Sequence, residues 1–209
     1  MAEISNLQSA YALALEKAME RLAELKLDSV SRITGTSLSD DGEKIRVRYM
    51  SQDCFVNPVK RTVTAADFEQ GMPELSITEQ VLILHYLTRP GQFLPLEERQ
   101  VSFKEIPEAQ IYNAAFEKRV LNPMVKWFAG NLEGFQAAGE KLGARTETYG
   151  HASHTLQIFP MVPVTYVLWQ GDEEVPSSGT VLFDSSVAHY LSAEDIVFAA
   201  SYGVYAHRK

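Results

Sequence analysis

The sequence predicts an α+β fold, in which helices pack on a mixed or mostly antiparallel sheet. Helical and strand-like patterns occur in blocks, whereas a doubly wound parallel sheet needs strict alternation of strand and helix. No internal repeat, low-complexity tract or linker-like stretch divides the 209 residues. We therefore expect a single domain spanning 1–209, in which a helix over 3–26 and a small strand region over 31–64 pack on a body formed by 76–209.

The first two elements follow from their apolar periodicity. The N-terminal helix is amphipathic, because its apolar residues recur at steps of three and four. These residues are Ile4, Leu7, Tyr11, Leu15, Ala18, Leu22 and Leu25. In the strand region, Ile33 and Thr34 begin a strand-like piece. Beyond the turn residues 40–42, apolar and charged residues alternate over 45–50, which is typical of a half-exposed strand.

The body begins with a helix that is apolar nearly all round. Ser76 and Glu79 form a capping-box pattern at its start, and it ends before Pro90. Pro107 fits the first turn of the next helix, and Pro123 breaks or restarts that helix. Strands are predicted at about 145–149, 154–159, 162–169 and 180–183. A terminal helix then begins at a cap formed by Ser192 and Asp195.

Charge and cysteine content narrow the classes of partner and cofactor. The net charge of −8 disfavours binding to a nucleic-acid backbone, which needs clustered Lys and Arg. The single cysteine, Cys54, excludes an intramolecular disulfide, an iron–sulfur cluster and a cysteine zinc site within one chain. No cofactor is evident. No signal peptide and no apolar run long enough to span a membrane is visible, so we expect a soluble cytoplasmic protein without a membrane partner.

Several strings in the sequence are specific when they are taken together. They are ILHYL at 83–87, VSFKEIP at 101–107, FPMVPVTYVLW at 159–169, GDEEVP at 171–176 and VLFDSSVAHYLSAEDI at 181–196. With these strings the chain resembles a prokaryotic family, domain-of-unknown-function family 3786. The resemblance implies relatives in anaerobic bacteria and archaea, some with an iron–sulfur module like that of corrinoid proteins. Residues 1–209 contain one cysteine and therefore hold no such module. The resemblance implies an accessory role beside metallo- or corrinoid enzymes.

Acidic residues around the last strands are the candidate catalytic groups. Asp172 and Glu174 share a face of an extended chain, and Asp184 ends a predicted strand. Carboxylates can bind a divalent cation or divide acid and base roles between them. Such a site requires them to converge within about 5 Å. The alternatives are a solvated hairpin turn for Asp172 and Glu174, and a helix N-cap for Asp184.

His151 and His154 are weak candidates for metal ligands. On a strand, side chains three residues apart face opposite sides of the sheet. A metal site would therefore need Asp184 or Glu174 as a further ligand.

Tyr112, Phe116 and Arg119 fall on one face of a helix, and with Trp169 they are the candidate ligand-binding residues. Arginine suits a carboxylate or phosphate ligand. The alternative is a core stripe whose Arg119 pairs with Asp172 or Asp184.

The leading functional hypothesis is a binding or accessory protein with a small-molecule or protein partner. A metal-dependent hydrolase-like enzyme that uses the carboxylates, and a structural subunit of a larger assembly, are the alternatives. Whether the chain is an enzyme stays open at this point, as do its ligand and its oligomeric state.

Overall fold

The computed structural model of the protein describes residues 2–66 and 74–208, with side chains from Gln8 onward in the first segment. The chain forms two compact units, Met1–Leu94 and Pro95–Lys209. Helices accompany an antiparallel sheet in each unit, so the predicted α+β class is confirmed. The assignment of 1–209 to one domain stays a prediction.

The first unit contains three helices and a four-stranded sheet within its described residues. The helices are α1 (Ala2–Ala23), α2 (Leu27–Thr34) and α3 (Ile77–Thr88), and the strands are β1 (Ser37–Leu38), β2 (Ile45–Tyr49), β3 (Gln52–Asn57) and β4 (Thr62–Ala65). The strands lie in the order β1-β2-β3-β4, each antiparallel to the next. The side chains of Ile4 and Leu7, on which the prediction of the first helix partly rests, lie outside the described residues.

Two boundaries in this unit differ from the prediction. The first helix ends at Ala23 rather than at residue 26. The strand-like reading of Ile33 and Thr34 is wrong, because both residues belong to α2. That helix ends at Gly35, which has a left-handed φ of 66°. Glycine adopts this conformation without a steric penalty and therefore commonly ends helices. Thr34 donates its hydroxyl to the carbonyl of Val30 at 2.8 Å, so this β-branched residue is held in the helix by a local hydrogen bond.

The second unit contains five helices and a five-stranded sheet within its described residues. The helices are α4 (Ala109–Phe116), α5 (Asn122–Phe128), α6 (Leu132–Lys141), α7 (Val187–Tyr190) and α8 (Ala193–Ala206), and the strands are β5 (Gln100–Ser102), β6 (Arg145–Thr146), β7 (Ala152–Phe159), β8 (Val162–Trp169) and β9 (Ser178–Asp184). The strand order is β5-β9-β8-β7-β6, and all pairs are antiparallel. The predicted strand at 145–149 is shortened to two residues.

Local sequence signals determine several boundaries of the helices. Ser76 with Glu79, and Ser192 with Asp195, form the predicted capping boxes at the starts of α3 and α8. A π-helical turn, Glu117–Leu121, joins α4 to α5 directly before Pro123. Proline lacks an N–H and clashes with the carbonyl four residues earlier. The widened turn therefore lets the helix continue past Pro123.

The buried side chains of the central strands form the core of the second unit. Leu156 and Ile158 of β7, and Val164 and Tyr166 of β8, are all nearly inaccessible to solvent. Tyr166 also donates its hydroxyl to the carbonyl of Ala200 in α8 at 2.9 Å, which ties the sheet to that helix. Among the described helices, none combines the length and apolar character that a membrane crossing requires.

Candidate functional site

Asp172 lies in an exposed turn between β8 and β9. One oxygen of its carboxylate accepts the backbone N–H groups of Glu174 and Val175, both at 2.9 Å. Its own N–H donates to the carbonyl of Val175. The hydrogen bonds from Val175 and Glu174 lower the pKa of the Asp172 carboxyl. Glu173 and Glu174 are exposed beside it, so the acidic turn is organised mainly by its own backbone.

Asp184 is buried and its carboxylate is heavily used as a hydrogen-bond acceptor. It accepts the backbone N–H groups of Glu97 at 3.0 Å and Glu98 at 2.8 Å. It also accepts the N–H of Ser186 at 3.0 Å and its hydroxyl at 2.6 Å. Burial raises the pKa of the Asp184 carboxyl, but the hydrogen bonds from Ser186, Glu97 and Glu98 outweigh that effect and lower the pKa overall. Asp184 therefore fastens the loop before β5 to the end of β9.

The acidic candidates lie at opposite ends of β9. The turn of Asp172 connects Trp169 to its partner Ser178 at the start of the strand, and Asp184 ends it. Asp184 lies six positions beyond Ser178 along the strand, which is about 20 Å at 3.3 Å per residue. The structure therefore does not bring Asp172 or Glu174 to Asp184. Their catalytic role stays a prediction, without the convergence that it requires.

The structure does not bring all four candidate ligand-binding residues together. Phe116 is buried in a stack with Phe103. Tyr112 reaches Glu194 of α8 at 3.5 Å, and the guanidinium of exposed Arg119 lies 4.9 Å from the ring centre of Phe198.

Trp169 lies at the end of β8 where the acidic turn begins, whereas Phe116 contacts Phe183 near the other end of β9. A ligand-binding role for these residues stays a prediction.

The helix that carries Tyr112 and Phe116 borders a groove on a different face. A cavity of about 320 Å³ is lined by Lys104, Ala109, Gln110 and Asn113. Lys104 comes from the 3₁₀ turn Phe103–Glu105, and the other three come from the first turns of α4. The lining of the groove thus combines one ammonium group, two side-chain amides and one alanine.

Local sequence features shape this groove. The carboxylate of Glu105 accepts the N–H of Ser102 at 2.7 Å and its hydroxyl at 2.8 Å, and this closes the 3₁₀ turn. Glu108 precedes α4 with a φ of 63°, an unfavourable conformation for a residue other than glycine. Asn113 donates from its amide to Glu117 at 3.2 Å, so its side chain is held along the helix.

The two histidines of the predicted metal pair have different environments. His151 is exposed, and its Nδ1 accepts the N–H of Gln170 at 3.0 Å. His154 is buried in β7. Among the residues that the structure describes, no three His, Cys, Asp or Glu side chains come together as metal ligands. A metal role for His151 and His154 stays a prediction.

His154 instead forms a pair with a histidine that the sequence reasoning missed. Its Nε2 contacts the Nε2 of His207, and the two ring centroids lie 4.5 Å apart. Burial lowers the pKa of His154 to about 3, with a further contribution from His207, and burial also lowers the pKa of His207. In the sequence, His207 stands beside Arg208 and Lys209 in a short basic stretch. The sequence signal for a buried His207 is Gly203, which lies four residues earlier and therefore on the same face of a helix.

Comparison with known proteins places the chain in a family. No curated protein and no solved structure matches it. A family described as Domain of unknown function (DUF3786) matches residues 26–206. That match covers nearly the whole chain and extends over parts of both compact units, so the protein belongs to the DUF3786 family.

Proposed function

We propose that the protein is a binding or accessory protein, and that its ligand is a small polar molecule carrying a carboxylate. The observation that supports this is the groove lined by Lys104, Ala109, Gln110 and Asn113. Its volume of about 320 Å³ falls at the lower end of the range for small-molecule sites.

The lining of the groove suggests the chemistry of the ligand. The ammonium of Lys104 would attract a carboxylate. The amides of Gln110 and Asn113 each offer a donor and an acceptor, which suits hydroxyl or amide groups on the same molecule. Ala109 is a buried lining residue with a small apolar side chain, which leaves room for a short carbon chain.

A binding role is favoured over the hydrolase-like alternative because of where the acidic residues lie. The carboxylates of Asp172 and Asp184 lie at opposite ends of β9 and accept hydrogen bonds from backbone groups. A cytoplasmic location and an accessory role beside metallo- or corrinoid enzymes of anaerobes belong to the same proposal. These two parts rest on the sequence and on the family resemblance alone.

The proposal can be tested by nuclear magnetic resonance on the ¹⁵N-labelled protein. Acetate, succinate, lactate and glutamate would each be added separately as probes. Each titration would extend beyond about 1 mM, so that a dissociation constant in the millimolar range can be measured. We expect at least one probe to shift the backbone signals of residues 104 and 109–113. If none shifts these signals, the proposal is wrong.

Two matched pairs of variants define the groove. Lys104→Met should abolish the shifts, whereas Lys126→Met, which changes an exposed lysine of α5, should leave them unchanged. Gln110→Trp should fill the groove and prevent binding. Ile111→Trp places the same ring at the neighbouring position, which is 80% exposed and is not part of the groove lining, and should still bind. Equal loss in both members of a pair would contradict the proposal.

A further inference from the structure

The last turn of α8 and strand β7 meet at two buried imidazoles. His154 is 1% exposed and His207 is 5% exposed. The ring of Phe135 lies 4.3 Å from that of His154 and 5.5 Å from that of His207. Phe128 and Tyr166 complete the aromatic surroundings, at 6.2 Å and 5.3 Å from His207. The pair is therefore held in an apolar shell away from the groove.

Hydrogen-bond partners determine where the hydrogens of the two rings must lie. Nδ1 of His207 is 2.5 Å from the carbonyl oxygen of Gly203. A carbonyl only accepts, so this Nδ1 carries a hydrogen and, in a neutral ring, the Nε2 carries a lone pair. Since Nε2 of His154 contacts that lone pair, it must donate. One hydrogen between the two Nε2 atoms joins β7 to the end of α8.

Gln136 of α6 can accommodate a change in charge on His154. Its amide oxygen lies 3.3 Å from Nδ1 of His154, and its amide nitrogen lies 3.4 Å from the carbonyl of Ser153. In this orientation the amide suits a protonated Nδ1. Rotation of the terminal amide presents its nitrogen instead, which suits an unprotonated Nδ1 but gives up the hydrogen bond to the carbonyl of Ser153. The pair can therefore hold zero or one extra proton without losing the contact between the Nε2 atoms.

A second extra proton has a different consequence. With both rings as imidazolium ions, each Nε2 carries a hydrogen, and two donors face each other. That contact is repulsive, and two positive charges then lie together in a buried site. The contact between β7 and α8 would open.

The neighbouring charged and titratable groups have partners of their own outside the pair. Tyr166 of β8 donates its hydroxyl to Ala200, and burial raises its pKa. Arg208 follows His207 and lies 4.8 Å from the ring centre of Trp127 in α5. Glu147 pairs with Arg145 and accepts from Thr155. The side chain of Thr155 leaves β7 on the face opposite to His154.

Two helical glycines allow the pair to form. A Cβ added at Gly139 of α6 would lie 2.7 Å from the His154 ring, and one at Gly203 would lie 1.9 Å from the Tyr166 hydroxyl. Glycine inside a helix is less favourable than alanine by about 1 kcal/mol. Helix α6 therefore gives up local stability for close approach to His154, and α8 does so for close approach to Tyr166, which borders the pair.

We infer that the His154–His207 pair is an acid-sensitive latch, which fastens the end of α8 to β7 and releases it when both rings are protonated. Above the ordinary histidine pKa of about 6.5 the latch is closed. As the pH falls below that value, the open state binds protons more readily than the closed state, so opening becomes easier.

The test is amide hydrogen exchange of the full chain between pH 7 and pH 4, corrected for the intrinsic pH dependence of exchange. We expect the protection of residues 203–207 to fall by up to about tenfold per pH unit for each proton taken up only on opening. His207→Phe should reduce this slope, because His154 alone can then take up a proton on opening, and His154→Phe combined with His207→Phe should abolish it. His151→Gln, at an exposed histidine, should retain it. A slope that is absent from the unmodified chain, or that persists undiminished in the double variant, would overturn the inference.

A second measurement does not depend on the folding of a variant. In ¹⁵N spectra of the unmodified protein at neutral pH, His207 should carry its hydrogen on Nδ1 and His154 on Nε2. If both rings instead carry hydrogen on Nδ1, the two Nε2 atoms are free to hold a metal ion and the latch is refuted.

Discussion

The rings of Phe103 and Phe116 stack face to face, with centroids 4.1 Å apart and planes 3° from parallel. The ring of Phe183 tilts against both, at 6.5 Å from Phe103 and 6.2 Å from Phe116. Three segments that are distant in sequence, the 3₁₀ turn, α4 and β9, are thus joined by one aromatic cluster. The groove lies on the outer side of the same turn and helix, so its geometry depends on this cluster.

Replacement of Phe116 by alanine should destabilise the protein strongly. The change removes a 3%-exposed ring from the stack and leaves a cavity, for which a loss of about 3–5 kcal/mol in the free energy of unfolding is typical. Ile111→Ala, on the same helix but 80% exposed, should change it by about 0.5 kcal/mol or less. Urea unfolding measures both. Equal effects would mean that the aromatic cluster does not stabilise the unit.

Asp184→Asn should lower the free energy of unfolding by at least about 2 kcal/mol. The substitution removes a charged acceptor and turns an amide group toward backbone donors, including the N–H groups of Glu97 and Glu98. Hydrogen bonds to a charged group contribute about 1.5–3 kcal/mol each. Asp172→Asn is the matched control, because an exposed asparagine can still accept the bonds of its own turn. Urea unfolding near neutral pH should therefore separate the two variants clearly.

The same carboxylate predicts a dependence of stability on pH. The pKa of Asp184 is lowered on folding, so its contribution is complete above the ordinary aspartate pKa of about 3.9. This contribution is lost as the pH falls from about 3.9 to the lower pKa of the folded state. In that range the unfolded chain takes up the proton and the folded protein does not. The free energy of unfolding should fall by up to about 1.4 kcal/mol per pH unit in this window. Asp184→Asn should lack this component, whereas Asp172→Asn should retain it.

Cys54 should resist thiol reagents in the folded protein. Burial raises the pKa of its thiol to about 12, with smaller contributions from the charges of Glu79 and Asp53. At pH 8 only about one thiol in ten thousand would then be ionised, and the thiolate is the reactive form. Labelling with iodoacetamide should be slow in buffer and fast in urea. An added thiol in Val59→Cys, at a position 86% exposed, should react at once; rapid labelling of Cys54 itself would contradict its burial.

Features encoded within a few residues were predictable from the sequence. The caps at Ser76 and Ser192 were identified because the hydroxyl and the carboxylate that form each box are three residues apart. Strand β8 was predicted with both ends correct. Ile33 and Thr34 were misread because their β-branched side chains favour strands, whereas Gly35 and the preceding helical turn determine the structure.

The arrangement of polar groups was less predictable, because it depends on distant partners. Asp184 receives its hydrogen bonds from residues 86 and 87 positions earlier in the chain, and no local pattern encodes that contact. His154 meets His207 across 53 positions, which requires the rotation of α8 relative to β7. Likewise, the face of α4 that carries Phe116 resembled a pocket wall in sequence, and its packing depends on rings from two other segments.

Gly203→Ala tests how closely α8 approaches the sheet. The added Cβ would lie 1.9 Å from the hydroxyl oxygen of Tyr166 and 2.7 Å from its Cζ. Alanine favours a helix by about 1 kcal/mol over glycine, but overpacking of a core costs typically about 1–3 kcal/mol. We expect a net loss of stability in urea unfolding.

Gly130→Ala is the control, because an added Cβ at that position has no neighbour within 4 Å. Combining Gly203→Ala with Tyr166→Phe, which removes the nearest atom, should recover part of the loss, so the effects of the two changes should not add. Additive effects, or an unchanged stability in Gly203→Ala, would show that α8 lies farther from β8 than the hydrogen bond between Tyr166 and Ala200 requires.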